Sequence, residues 1–186
     1  MGFALAEACA ERGAEVTLVA GPVSLKTHHP AIKRIDVESA GEMYQAAMTA
    51  FPSSDAAILC AAVADYRPEN ASEQKIKRET EREMTLHLVP NPDIAASLGA
   101  IKREGQVMVG FALETNDEAT HAEGKLKRKN LDFIVLNSLR DQGAGFRCDT
   151  NKITIIDNAG GVTSYPLKTK REVACDIVNK LVTLLK

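Results

Sequence analysis

Apolar and polar positions change period several times along this chain, and each change marks an element. Gly2 to Arg12 carries an alanine-rich face and is predicted as a helix that packs close to a sheet, closed by Gly13 as its C-terminal stop. Glu15 to Ala20 reads as a strand ended by Gly21-Pro22, and Ile32 to Val37 as another short strand. Ser39 with Glu42 three positions on has the form of a helix start, and Met43, Ala46, Ala47 and Ala50 give that helix an apolar stripe. Ala56 to Val63 is a continuous apolar run, the pattern of a parallel strand buried on both faces.

The middle of the chain reads differently. Lys75-Ile76-Lys77 and Met84 to Val89 both alternate, with a charged turn between them, which predicts a partly exposed hairpin. Asn91-Pro92-Asp93 resembles a helix start with proline at the first turn, leading into Ile94 to Lys102. Strand Val107 to Ala112, a charged helix over Glu118 to Lys129 and strand Phe133 to Asn137 follow. The end reads as a hairpin, Lys152 to Ile156 and Val162 to Tyr165 turning through Asn158 to Gly161, then a helix over Arg171 to Leu185. No internal repeat, linker or low-complexity tract divides residues 1–186, so one domain is expected.

Alternating strands and helices predict a doubly wound three-layer α/β/α sandwich with a mostly parallel sheet. Such folds open on a strand and a glycine-rich turn, whereas this chain opens on a helix with no capping residue before it. A further central strand is therefore expected ahead of Met1.

Composition narrows the class. The chain has 186 residues, 45% apolar and 26% charged, ordinary values for a globular domain with a real core. A formal net charge of −2 provides no global field for nucleic acid or a membrane surface. No apolar run approaches the roughly 18 residues of a membrane span, and the start lacks the basic region of a signal peptide. Cys9, Cys60, Cys148 and Cys175 form no CxxC pair, and all but Cys148 read as small core residues, which fits a reducing cytoplasm. The histidines lack zinc-ligand spacing, and His28-His29 reads as an exposed loop.

Candidate chemistry gathers at strand ends. Ala61-Ala62-Val63-Ala64-Asp65-Tyr66-Arg67-Pro68 follows the buried run, and ligands of open α/β sheets bind beyond the carboxyl ends of strands. The small residues let a ligand approach the backbone. Asp65 is either a turn acid or a carboxylate facing ribose, or metal and phosphate. Lys75 and Lys77 share a strand face, with Ile76 on the other. They are either a solvated edge or a grip on one triphosphate, and with Asp65 they suit a magnesium-bound polyphosphate. Asn91-Pro92-Asp93 is a helix cap that can also orient an anion. Gly110 permits close approach, and Phe111 is either a core side chain or a surface for a base. Lys125, Lys127, Arg128 and Lys129 already complement a helix C-terminus. No Ser-His-Asp set, GxSxG elbow or GxGxxG fingerprint is present.

Taken in order, Met1-Gly2-Phe3-Ala4-Leu5-Ala6, Val16 to Leu25, Ala61 to Pro68, Lys75-Ile76-Lys77-Arg78, Asn91-Pro92-Asp93-Ile94, Val109 to Thr115 and Lys129-Asn130-Leu131-Asp132 resemble the phosphopantothenate–cysteine ligases. No single segment is diagnostic; the ordered set is, and it covers nearly the whole chain. The resemblance implies a Rossmann-like α/β/α fold and a two-step reaction. CTP with Mg2+ activates the carboxylate of 4′-phosphopantothenate as an acyl-cytidylate, and the amine of L-cysteine then forms the amide. Lys75 resembles the family's catalytic flap lysine, with Lys77 on the substrate side. Ala61, Ala62, Asp65, Asn91, Pro92, Asp93, Phe111, Lys125 and Lys129 resemble its nucleotide contacts, Asp65 also serving the metal. The resemblance further implies a cytoplasmic homodimer, no FMN in this domain, and fusion to an upstream flavin-dependent decarboxylase. It places a glycine-rich GGT segment and an Asn-x-Ser-Ser-Gly-Lys stretch ahead of Met1, so activity of the chain alone is in question. Two rivals remain at this point. A short-chain reductase needs a Tyr-x-x-x-Lys pair, and here Tyr44 is followed at that spacing by Met48 and Tyr66 by Asn70. A nucleotide-binding module without catalysis is the other.

Overall fold

The computed structural model describes residues 1–70, 72, 74–75, 84–114, 118–138 and 149–185. Helix α1 (Gly2–Ala10) precedes strands β1 (Val16–Ala20) and β2 (Ile32–Asp36) and helix α2 (Ala40–Ala50). Strands β3 (Ala56–Leu59), β4 (Tyr66–Pro68) and β5 (Leu88–Pro90) lead to α3 (Ile94–Ile101), β6 (Val107–Glu114), α4 (Glu118–Arg128) and β7 (Phe133–Ser138). The last part holds β8 (Thr150–Asn151), β9 (Ile153–Asp157), β10 (Val162–Ser164), β11 (Lys168–Thr169) and α5 (Lys170–Leu184).

Local chemistry sets the helix ends. Gly13 follows α1 at φ +86°, a conformation glycine adopts without strain. Ser39 Oγ accepts from the Glu42 amide at 3.1 Å, and the Glu42 carboxylate accepts from the Glu38 amide at 2.8 Å. Thr169 and Glu172 form a reciprocal capping box at α5.

The main sheet runs β10-β9-β7-β6-β3, with β3, β6 and β7 parallel and β9 and β10 antiparallel. Alternation along β6 sends Val107 and Val109 to one face and Met108 to the other. On the first face they meet Phe133, Val135, Ile153 and Ile155, roofed by Leu5 and Ala8 of α1 and Val173, Ile177 and Leu181 of α5. On the second face Met108, Ile134, Leu136 and Ile156 pack against Leu98 of α3 and Ala122 and Leu126 of α4. The result is the three-layer, Rossmann-like sandwich that the pattern predicts.

The differences are instructive. β1 and β2 pair in parallel as a separate two-stranded sheet. Among the described residues the ladder is interrupted between β1 and β3, although helices bridge it. α1 packs on β1 as well as on the main core, while α2 touches β1 and sends Ala47 and Met48 to the same second-face core that Ala57 and Leu59 of β3 join. β3 is correspondingly shorter than the apolar run Ala56 to Val63, and its four residues are half-buried, because it has a neighbour on one side only. The middle arm pairs Tyr66–Pro68 with Leu88–Pro90, antiparallel. Lys75 lies in no strand, and Ile76, Lys77 and Arg78 lie outside the described residues. Proline at 92 stands before the cap of α3 and not in its first turn, since Asp93 is the N-cap. The short pair β8–β11 carried no sequence signal at two residues per strand.

Candidate functional site

The strand β3 ends at Leu59, and the chain then runs through Ala61, Ala62, Ala64 and Asp65, all exposed. Small side chains leave the backbone of this segment open. Its carbonyls are taken up by the turn before α3. The Asn91 amide donates to Asp65 O at 2.8 Å, and Asn91 Nδ2 donates to Ala64 O at 2.9 Å. Two residues on, Asp93 caps α3, its Oδ1 accepting from the Ala96 amide at 3.0 Å. Lys129 Nζ reaches the same carboxylate, 3.1 Å from Oδ1 and 3.0 Å from Oδ2. Burial pushes the Asp93 carboxyl up, but the Ala96 amide and the Lys129 ammonium outweigh it and hold the group below its usual value.

Lys129 is placed there by its own neighbours. Asn130 takes φ +51° and donates from Nδ2 to Gly99 O at 3.0 Å. Gly99 has no Cβ, and one placed there would collide with the Lys129 carbonyl. Lys102 Nζ donates to Asn130 O at 3.2 Å and to Asp132 Oδ2 at 2.6 Å, and that oxygen also accepts from the Met108 amide at 2.6 Å. The segment Lys129–Asp132 is thereby tied to α3 on one side and β6 on the other. Gly99, Lys102 and Asp132 were not singled out as site-forming residues; a glycine inside an apolar helix was the one available signal.

The turn Asn91-Pro92-Asp93 therefore carries two separate links, from Asn91 to the Asp65 and Ala64 carbonyls and from Asp93 to Lys129, with Pro92 exposed between them. Other candidates stand apart. Lys75 is exposed beside Gln74. Lys125 is half-buried on α4, its carbonyl accepting from the Lys129 amide at 3.0 Å. Phe111 packs, partly buried, against the core beneath α1 and α5. Cys60 lies next to the Ala61 segment, and burial pushes its thiol up, away from a reactive thiolate.

Among the described residues no group of three or more His, Cys, Asp or Glu side chains could hold a metal. Asp65 offers one exposed carboxylate. That donor set does not fit a protein-built zinc or calcium cage, but it fits Mg2+, which keeps several waters and is bound through one or two carboxylates plus substrate phosphates. No described helix is long and apolar enough to cross a membrane.

Residues 1–185 match the family described as DNA/pantothenate metabolism flavoprotein C-terminal domain. A relative from an unknown prokaryotic organism, named Cysteine/Cysteine sulfinic acid decarboxylase, is 57% identical over 185 residues, covering 100% of this chain and 51% of its own length. The Coenzyme A biosynthesis bifunctional protein CoaBC of Vibrio parahaemolyticus is 46% identical over 186 residues, 100% of this chain and 46% of that protein. The chain thus spans about half the length of the curated relatives it matches. A crystal structure of the C-terminal domain of CoaBC superposes with a TM-score of 0.81 at 33% identity, over 98% of this chain and 81% of that one. A Cab2 mutant in complex with phosphopantothenate-cysteine superposes at 0.68 and 14% identity, over 97% and 76%, a likeness of fold. The chain belongs to the DNA/pantothenate metabolism flavoprotein C-terminal domain family, the one its ordered motifs resemble.

Proposed function

We propose that this chain forms the phosphopantothenate–cysteine ligase unit of a coenzyme A biosynthetic protein. The observation that carries the reading is the junction of the Ala61–Asp65 segment with the capped N-terminus of α3 and Lys129, at the carboxyl end of β3. Strand ends of this kind receive nucleotides in doubly wound folds. The match to the CoaBC C-terminal domain supports the same reading.

In the proposed reaction a carboxylate oxygen of 4′-phosphopantothenate attacks the α-phosphorus of CTP. The α–β anhydride bond breaks and pyrophosphate leaves. The amine of L-cysteine then attacks the acyl carbon, loses a proton, and displaces CMP. Asp65 is the residue that would hold the nucleotide's magnesium, which supplies charge neutralisation on the phosphates. Exposed backbone at Ala61 and Ala62 reads the base, with Phe111 as a further wall. Lys75 and Lys77 clamp the triphosphate and the substrate phosphate, and Lys125 and Lys129 add positive charge. Such clamps act chiefly on charge developed in the transition state, and the mixed anhydride has to be kept from water. We further propose a cytoplasmic homodimer, joined in its polypeptide to a flavin-dependent decarboxylase, with no FMN held by this domain.

The test is turnover by the protein carrying this chain, with CTP, Mg2+, 4′-phosphopantothenate and L-cysteine. Stoichiometric release of pyrophosphate and CMP with formation of the amide is expected. Turnover with NADPH-dependent reduction, or binding of CTP without product, would overturn the ligase reading. Equal use of ATP would leave a ligase and remove the cytidine assignment.

A further inference from the structure

Arg67 was given no role of its own within the Ala61–Pro68 stretch, yet it organises the junction just described. It lies in the middle of β4, opposite Val89 of β5. Its Nη1 donates to Pro90 O at 2.8 Å and to Asn91 Oδ1 at 3.2 Å. A guanidinium can only donate. Facing it, the Asn91 side chain must present its oxygen, and its Nδ2 then points to Ala64 O, 2.9 Å away. With the guanidinium removed, nothing described holds the amide oxygen, and the side chain is free to flip and present its nitrogen to the arm. Ala64 would lose its donor while the main-chain bond from Asn91 to Asp65 O, 2.8 Å, remained.

We infer that Arg67 is a positioning residue for the nucleotide site. It sets the orientation of the Asn91 amide, and so keeps the Ala64 carbonyl tied to the Asn91-Pro92-Asp93 turn. It does so without touching the nucleotide. The inference rests on the functional reading above only for what the site binds. Arg67 also ties that site to the β4–β5 arm, since Pro90 belongs to the arm and Asn91 to the site. Both bonds leave the one Nη1 nitrogen, so a lysine ammonium, with three donors, keeps whatever part of the grip its length allows.

The test uses Arg67→Ala, Arg67→Lys, Asn91→Ala and the double variant Arg67→Ala/Asn91→Ala, in the protein carrying this chain. The first readout is the Asn91 side-chain NH2 resonance pair by NMR without nucleotide. In the parent and in Arg67→Lys it should show protected, well separated protons; in Arg67→Ala the pair should collapse toward solvent-exposed values. The second is Mg-CTP affinity and the split between KM and kcat. Arg67→Ala should weaken affinity about tenfold, the scale of one charge-assisted hydrogen bond, chiefly through KM. Arg67→Lys should recover part of that loss. In the Asn91→Ala background, removing Arg67 should add nothing, because both act through one group. An unchanged Asn91 resonance in Arg67→Ala, or additive losses in the double variant, would overturn the inference. Failure of the parent to bind CTP would sink the ligase reading alone, and the NMR result would still decide the role of Arg67.

Discussion

Lys75 is exposed, so its removal separates catalysis from folding. Lys75→Gln should lower ligase turnover by an amount equivalent to about 2–4 kcal/mol of transition-state stabilisation, the usual scale for one preorganised charge contact. The melting temperature should stay at the parent value. Steady-state rates at subsaturating CTP check this, and near-parent turnover would remove Lys75 from the site. Asn91, Asp93 and Lys129 illustrate a different lesson at this scale. Asn91 and Asp93 could be read from the helix-start pattern, because a cap is a local arrangement. The contact of Lys129 with Asp93 could not, because it joins residues 36 positions apart and depends on where α3 and α4 come to rest. Phe111 had two readings that its own neighbours in sequence could not separate, and its packing under α1 and α5 follows from the side of β6 on which it falls.

Helix α3 carries two element-scale predictions. Its Gly99 lies against the carbonyl of Lys129, so Gly99→Ala must push helix and turn apart. A cost of about 1–3 kcal/mol is expected, the range for overpacking a tight contact, together with weaker nucleotide binding as Lys129 leaves Asp93. Denaturant melts of the two proteins measure the first part, and an unchanged midpoint would show that the contact relaxes freely. The second prediction concerns pH. The Asp93 carboxyl is held below its usual value by the Ala96 amide and Lys129 acting against burial. A lowered carboxyl contributes stability that is fully present above the unfolded value, about 3.9, and is lost as pH falls through the lower folded value. Asp93→Asn keeps an N-cap acceptor but has no charge to titrate. Its melting temperature should therefore fall less steeply than the parent's below about pH 4. Parallel curves for the two would show that the group does not contribute.

For the whole molecule, the interrupted ladder between β1 and β3 is the main feature. Each strand has a hydrogen-bonded neighbour on one side, so alternate amides on the other side lack a ladder partner among the described residues. Hydrogen exchange should show fast and slow amides alternating along Val16–Ala20 and Ala56–Leu59, and uniform protection along the central strand β6. Even protection in β3 would mean that its free edge is covered. The arm adds a second prediction. Tyr66, Met84, Leu86 and Leu88 are all more than half exposed, and a two-stranded ribbon is marginal alone in water. The proposed homodimer would bury this face, and Leu88→Asp should then shift the sedimenting species from dimer to monomer. A parent protein that sediments as a monomer at high concentration would refute it.

Read by itself, the sequence determined most of the elements, the class of fold and the family. Caps, glycine stops and the change between helical and strand periods are local signals, each carried by a few adjacent residues. Pairing was another matter. Tyr66–Pro68 and Leu88–Pro90 meet across a long intervening segment, and although Leu88 and Val89 end the alternating run from Met84, nothing local in Tyr66–Pro68 marks it as their partner. Only the tertiary structure decided that partnership, the half-burial of β3 and the grip of Arg67 on Asn91. The physical reason is that hydrophobic period specifies which face a residue turns inward, but not which distant backbone or side chain will meet it there.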